Sequence, residues 1–245
     1  MMLPSFQESA DKAMQTAQAA EQAELDGVFA FDHVWPMKQP NRPAIAPFPL
    51  LSAIAARTES ISIGTLVARI SLAPEAVLLA ELATLAWVAP GRLIAGLGTG
   101  DHKSADENDA YGVPEASQTE RRSALERLAE SVRRLGVPVW IGGGSRATDR
   151  MAEESGLVVN LWGATPEEVA EQAARSEVTW AGVAPIGQRG ADLGADQKAD
   201  PSGAVAKFLR ALEAAGATWA VFDSSSAIEV LASAALSIRG SPGGE

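Results

Sequence analysis

Cysteine is absent from the 245 residues. That excludes disulfides, thiolate nucleophiles, Cys-ligated zinc and iron–sulfur clusters. Histidine occurs only twice, at His33 and His102, without an E-x-x-H spacing, so no metal-ligand set is recognisable. A basic excess is also missing: 20 Lys and Arg face 31 Asp and Glu, a formal net charge of −11. Binding to phosphate backbones needs clustered Lys and Arg, which excludes nucleic acid as a partner, and the acidity serves solubility. No apolar run reaches the ~18 residues of a membrane span. The stretch Met1–Phe6 lacks the basic and apolar regions of a signal peptide. A cytoplasmic protein without a membrane partner is therefore expected. Neither a G-x-S-x-G nucleophile elbow nor a G-x-G-x-x-G fingerprint in a Rossmann setting occurs.

What is present is an ordinary globular composition, 47% hydrophobic and 21% charged, in short apolar runs that alternate with longer segments of helical period. Leu3–Phe6 reads as a clipped first strand, followed by an Ala-rich helix over Ala10–Leu25. Further strands are expected at Val28–Asp32, Ile61–Val67, Arg92–Leu97, Val137–Ile141, Leu157–Leu161, Val178–Val183 and Ala217–Phe222. Helices are expected at Leu50–Arg57, Pro74–Val88, Glu120–Leu135 and Ser145–Ser155, from a capping box at Thr165–Glu168, after Asp200-Pro201, and over Ser226–Ile238. The Pro-rich stretch Pro36–Pro49 is too long for a simple connector and reads as a functional loop. Residues 188–198 read as a loop rich in Gly, Asp and Gln.

Eight strands in alternation with eight helices imply a parallel sheet with right-handed crossovers, and this length suits a (β/α)8 TIM barrel. The expected organisation is one α/β barrel domain over residues 1–239 with a disordered tail at 240–245.

Barrel active sites sit at the carboxyl ends of the strands, and the polar residues collect there. Asp32-His33 and Asp101-His102 each follow a strand, the second pair through the turn Gly98-Thr99-Gly100. A carboxylate beside an imidazole offers an acceptor and a proton donor at one mouth. Gly142-Gly143-Gly144-Ser145 ends a strand and opens a helix, with Arg146 next. Free N–H groups at a helix start, approached across residues without Cβ, form an anion site suited to phosphate. Asn160 and Trp162 flank the end of another strand, and Asp223 follows the last.

Four stretches in order then resemble the bacterial luciferase-like family of flavin- and deazaflavin-dependent oxidoreductases, in particular its branch using coenzyme F-420. They are Leu25–His33, Ala56–Thr65, Ala89–Gly100 and Pro138–Gly144. The resemblance implies a luciferase-like barrel with shortened insertions: the stretch from Tyr111 to Val137 lacks the hairpin many relatives carry, and 185–201 is short where relatives insert a lid. It implies a deazaflavin or flavin ring at the strand mouths beside Asp32, with His33 as the catalytic proton donor. Asp101 stands where related deazaflavin enzymes carry a catalytic Glu. A cis peptide behind the ring would fall at Leu66–Val67. Gly98, Thr99 and Gly100 would form the ring-edge turn, and Gly142, Gly143, Gly144 and Ser145 the cofactor phosphate site. Ser104 and Asn160 complete the implied cofactor contacts.

The implied activity is hydride transfer between coenzyme F-420 and a small-molecule substrate, and the segment Leu78–Trp87 reads equally as a homodimer face or as core. Three alternatives stay open: an FMN-dependent monooxygenase on the same barrel, a non-catalytic flavin or F-420 carrier, and a cofactor-free lyase or isomerase.

Overall fold

A computed structural model of the chain describes residues 1–36, 39–40, 42–100, 104–114, 116–185 and 200–239. Its sheet consists of seven parallel strands in sequential order: β1 (Gly27–Ala30), β2 (Ser62–Arg69), β3 (Leu93–Gly98), β4 (Val139–Gly142), β5 (Val158–Trp162), β6 (Val178–Gly182) and β7 (Ala217–Phe222). Around them lie α1 (Asp11–Gln22), α2 (Pro47–Ala55), α3 (Glu75–Val88), α4 (Ala105–Ala110), α5 (Gln118–Arg134), α6 (Arg146–Ser155), α7 (Pro166–Ala173), α8 (Pro201–Ala214) and α9 (Ile228–Arg239).

The two edges of the sheet meet through the first three residues. Met2 N–H donates to the Phe222 carbonyl at 2.7 Å, Leu3 N–H to Phe29 at 2.7 Å, and Phe29 N–H to Met1 at 2.9 Å. This segment takes the place of the eighth strand and closes the (β/α)8 TIM barrel. The expected first strand at Leu3–Phe6 is thus corrected to Met1–Leu3. Pro4 ends the pairing because it has no N–H to donate. Helix α2 likewise begins at Pro47 rather than Leu50, since proline at the first helical position loses only an amide that has no intrahelical partner.

Alternation along the strands divides the buried side chains into two layers. Val28, Ile63, Leu97, Val139, Val159 and Val178 face the helices, where Leu51, Leu82, Leu125, Val169 and Val205 cover them. Met2, Phe29, Leu66, Ile94, Trp140, Ala181 and Val221 fill the barrel interior, with Trp219 packed against them. Phe29 stacks on Trp140 with ring centroids 5.2 Å apart, so the lower barrel is a packed core and not a channel.

Local caps set several of the helix starts. Thr165 and Glu168 form the expected capping box of α7, Ser117 and Glu120 form another at α5, and the Asp200 carboxylate accepts from Gly203 N–H. Helix α3 turns Leu78, Leu82 and Leu85 inward and leaves Val77, Trp87 and Val88 exposed. Among the described residues no helix is long and apolar enough to cross a membrane.

Candidate active site at the barrel mouth

The carboxyl ends of β1, β2 and β3 and the short helix α4 bring four charged side chains together. Arg69 ends β2, in which no other residue is charged, and is only 4% exposed. A buried guanidinium requires carboxylate partners. Its backbone N–H donates to Asp32 Oδ2 at 2.8 Å, and its Nε donates to the Asp32 carbonyl at 2.9 Å. Its two terminal nitrogens donate to Asn108 Oδ1 at 3.1 Å and to Glu107 Oε1 at 2.7 Å.

Glu107 is 2% exposed and carries the arrangement onward. Oε1 also accepts from the Val34 N–H, and Oε2 accepts from His33 Nδ1 at 2.9 Å. An ionised carboxylate only accepts, so Nδ1 bears the proton and Nε2 is left to exchange one. Burial pushes the Asp32 carboxyl above its usual range, opposed by the Arg69 amide and guanidinium and by His33.

Next to this cluster the β2–β3 ladder is irregular between Thr65 and Ala68, and the Leu66–Val67 peptide is cis at the bond the resemblance implied. Val67 leans over Gly98 and Gly142. A Cβ at Gly98 would stand 2.5 Å from Val67 Cγ2, and one at Gly142 would stand 3.3 Å from Val67 Cγ1. Bare glycines at these two strand ends make room for the bulge.

Two buried polar atoms at the neighbouring turn lack a hydrogen-bond partner among the described residues, Ser71 Oγ and Arg121 Nε. Arg121 reaches the Thr99 carbonyl at 3.3 Å, and Ser71 Oγ lies 3.8 Å from where a Gly100 Cβ would be. Unsatisfied atoms at a glycine turn are what a ring with carbonyl and N–H edges would satisfy.

Across the mouth, Gly143 N–H donates to the Asn160 carbonyl at 2.9 Å, and Gly144 has φ +107° with open space where its Cβ would be. Ser145 caps α6 through Thr148 N–H. The Gly144 N–H donates to Asp149 Oδ1 at 3.3 Å, a long bond that an incoming anion would displace. Burial pushes the Asp149 carboxyl above its usual range, against the Gly144 amide and Arg175.

An aromatic cluster completes the mouth. Phe6 stacks on Phe31 at 5.9 Å, Phe31 meets Trp162 at 5.7 Å, and both phenylalanines lie near His33 at 6.2 and 6.3 Å. A cavity of about 390 Å³ lies away from the mouth, between β7, Leu25–Gly27 and helices α8 and α9. It is lined mainly by apolar groups and holds neither histidine nor glycine turn of the mouth.

The structure therefore gathers His33, Asp32, Leu66, Val67, Gly98, Thr99, Gly100, Gly142, Gly143, Gly144 and Ser145 at one end of the sheet. Ser104 is buried at the start of α4. Asn160 is buried in the middle of β5, and its Nδ2 donates to Thr179 Oγ1. Asp101 and His102, like residues 188–198 and the tail at 240–245, lie outside the described residues. The carboxylate that meets the His33 imidazole is Glu107. Sequence reasoning missed Glu107, Arg69 and Asn108. The available signal was a helical face at spacing 0, 3, 4 and 7 formed by Ser104, Glu107, Asn108 and Tyr111.

A parallel β/α barrel with a charged and glycine-rich mouth is the class that the structure defines, and comparison with known proteins gives its family. Residues 1–135 match the model of the luciferase-like monooxygenase family, and the chain belongs to that family. A relative named F420-dependent glucose-6-phosphate dehydrogenase, from Nakamurella multipartita, is 31% identical over 184 residues, which cover 69% of this chain and 52% of that one. The chain thus spans about half the length of that curated relative. Among solved structures, an F420-dependent secondary alcohol dehydrogenase in complex with an F420-acetone adduct superposes with a TM-score of 0.72 at 16% identity, covering 92% of this chain and 94% of that one. The coenzyme F420 dependent tetrahydromethanopterin reductase from Methanopyrus kandleri gives 0.68 at 16% identity, with 95% of each chain covered. At that identity these two structures speak for the fold alone.

Proposed function

We propose that this chain is an oxidoreductase that uses coenzyme F-420 with a small-molecule substrate, and that His33 moves the proton accompanying hydride transfer. The observation that carries the reading is the buried Arg69–Glu107–His33 series, which holds one imidazole nitrogen as donor and leaves the other for exchange. The curated relative's name supports the choice of cofactor.

The residues present fit that group. Gly144, on release from Asp149, and Ser145 offer amides at the start of α6 to its phosphate, and Gly143 leaves the approach open. Thr99, Gly100, Ser71 and Arg121 offer the ring-edge turn, and Val67 backs it. When bound, the deazaflavin supplies a two-electron hydride carrier. The protein's part is to position, to shield and to handle the proton. Arg69 fixes Glu107, and Glu107 fixes the imidazole plane and tautomer. Asp101, next in sequence after Gly100, is proposed as a second catalytic carboxylate. A homodimer through the exposed face of α3 belongs to the same reading.

Fluorescence titration of the purified protein with F-420 and, in parallel, with FMN tests the cofactor. Binding of F-420 alone at micromolar concentration is expected. A preference for FMN would make this a flavin enzyme, and binding of neither would overturn the proposal. His33→Ala should leave F-420 affinity within about twofold while lowering turnover by roughly 10²-fold or more.

A further inference from the structure

The aromatic residues at the mouth are arranged as a surface and not as core. Trp162 ends β5 with 51% of its area exposed, although an indole is among the most buried groups on average. It packs against Phe31 at 5.7 Å, and Phe31 stacks on Phe6 with only 12° between the ring planes. The two phenylalanines flank the imidazole of His33 at 6.2 and 6.3 Å. An aromatic shelf, stacked between Phe6 and Phe31 and tilted by 55° at Trp162, thus borders the group proposed to donate the proton.

The charges beside it are already committed. Arg69 spends its Nε and both terminal nitrogens on the Asp32 carbonyl, Asn108 and Glu107. Two carboxyl groups, Asp32 and Glu107, face that one guanidinium, so an incoming phosphate would meet repulsion and a cation with its donors in use. The helix start nearest Trp162 is filled as well. Thr165 N–H donates to Glu168 Oε2 at 2.8 Å, and Thr165 Oγ1 accepts from Glu168 N–H. Glu167 stands in the same first turn of α7. Carboxylates occupy the place where a sugar phosphate would seek a positive end.

We infer that the Phe6–Phe31–Trp162 shelf recognises a substrate bearing a flat, uncharged ring with a carbonyl group, and that the mouth discriminates against sugar phosphates. The inference rests on the proposed function for the role of His33. It separates this chain from the relative named for glucose-6-phosphate. Stacking on the shelf orients the ring, and the carbonyl oxygen is the acceptor that His33 Nε2 can reach once the imidazole is protonated.

The test is calorimetric titration of the full chain, with and without F-420, using 1-tetralone as an uncharged bicyclic ketone and glucose-6-phosphate as the charged counterpart. 1-Tetralone is expected to bind, and glucose-6-phosphate to give no heat at the same concentrations once F-420 fills the anion site at Gly144 and Ser145. Trp162→Ala should weaken 1-tetralone binding by about fivefold or more, the scale of one lost aromatic contact, while Trp162→Phe stays within about twofold. F-420 affinity should be the same in all three proteins. Tighter binding of glucose-6-phosphate than of 1-tetralone overturns the inference. So does 1-tetralone binding that ignores Trp162, which would place the ring elsewhere, for instance in the cavity away from the mouth. Failure of F-420 to bind overturns the cofactor proposal instead, and the shelf then stands or falls on the Trp162 variants alone.

Discussion

Replacing Glu107 by Gln changes one atom and removes the acceptor that holds the His33 tautomer. The Glu107 side chain takes three donors, Arg69 at 2.7 Å, His33 Nδ1 at 2.9 Å and the Val34 amide. In Glu107→Gln the amide oxygen stays with Arg69 and Val34, because neither can accept a hydrogen bond there. The amide NH2 then faces His33 Nδ1 and forces that nitrogen to accept, moving the ring proton to Nε2. The substitution also leaves a guanidinium that is 4% exposed without its nearest carboxylate. Removing one partner of a buried pair costs about 3–5 kcal/mol, and the retained amide oxygen and neighbouring Asp32 place the expected loss near the lower end, about 3 kcal/mol. Urea unfolding measures that loss. Nitrogen-15 spectra report the tautomer directly, and with two histidines in the chain the assignment needs only His33→Ala as a control. Turnover with F-420 should fall by roughly 10²–10⁴, the range for a mispositioned acid–base group. A ring proton that stays on Nδ1 in the variant, with stability unchanged, would refute the series from Arg69 through Glu107 to His33.

Three further outcomes follow from the geometry. Burial raises the Asp32 pKa, so its contribution to stability is fully present below its unfolded value near 4 and is lost as pH rises through the folded value. Asp32→Asn keeps an oxygen for the Arg69 amide and should flatten the pH dependence of stability above about pH 4, measured by melting temperature across that window. Asp149→Asn removes a carboxylate from the Gly144 amide and should tighten binding of inorganic phosphate and of F-420 by roughly fivefold, the scale of one partly screened charge at about 4 Å; unchanged phosphate affinity counts against the anion site. Gly98→Ala places a methyl 2.5 Å from Val67 Cγ2 and should cost about 1–3 kcal/mol of stability while weakening F-420 binding; a melting temperature equal to the parent's would show that the bulge yields freely.

The alternation of apolar runs with helical periods determined the barrel, because a parallel sheet buried on both faces needs continuous apolar strands separated by crossover helices. Local signals with a local physical cause were equally legible. Thr165 and Glu168 satisfy each other's amides within one turn, Asp200 caps α8 across three residues, and the glycines at 142–144 mark a strand end opening onto a helix. His33 was found for the same reason, since any residue just past a barrel strand stands at the mouth.

Tertiary structure decided what sits beside it. Glu107 lies 74 positions from His33 and 38 from Arg69. Helical spacing groups Glu107 with Ser104, Asn108 and Tyr111, but which face is buried is decided only when α4 packs over the mouth and buries one carboxylate of the three in Ala105–Ala110. Closure of the barrel by Met1–Leu3, and the turn of Asp149 onto the Gly144 amide, depend likewise on which backbone groups remain unpaired after the sheet has curled. Periodicity is a property of neighbours along the chain, whereas a buried charge finds its partner only through the packing that removes water from both.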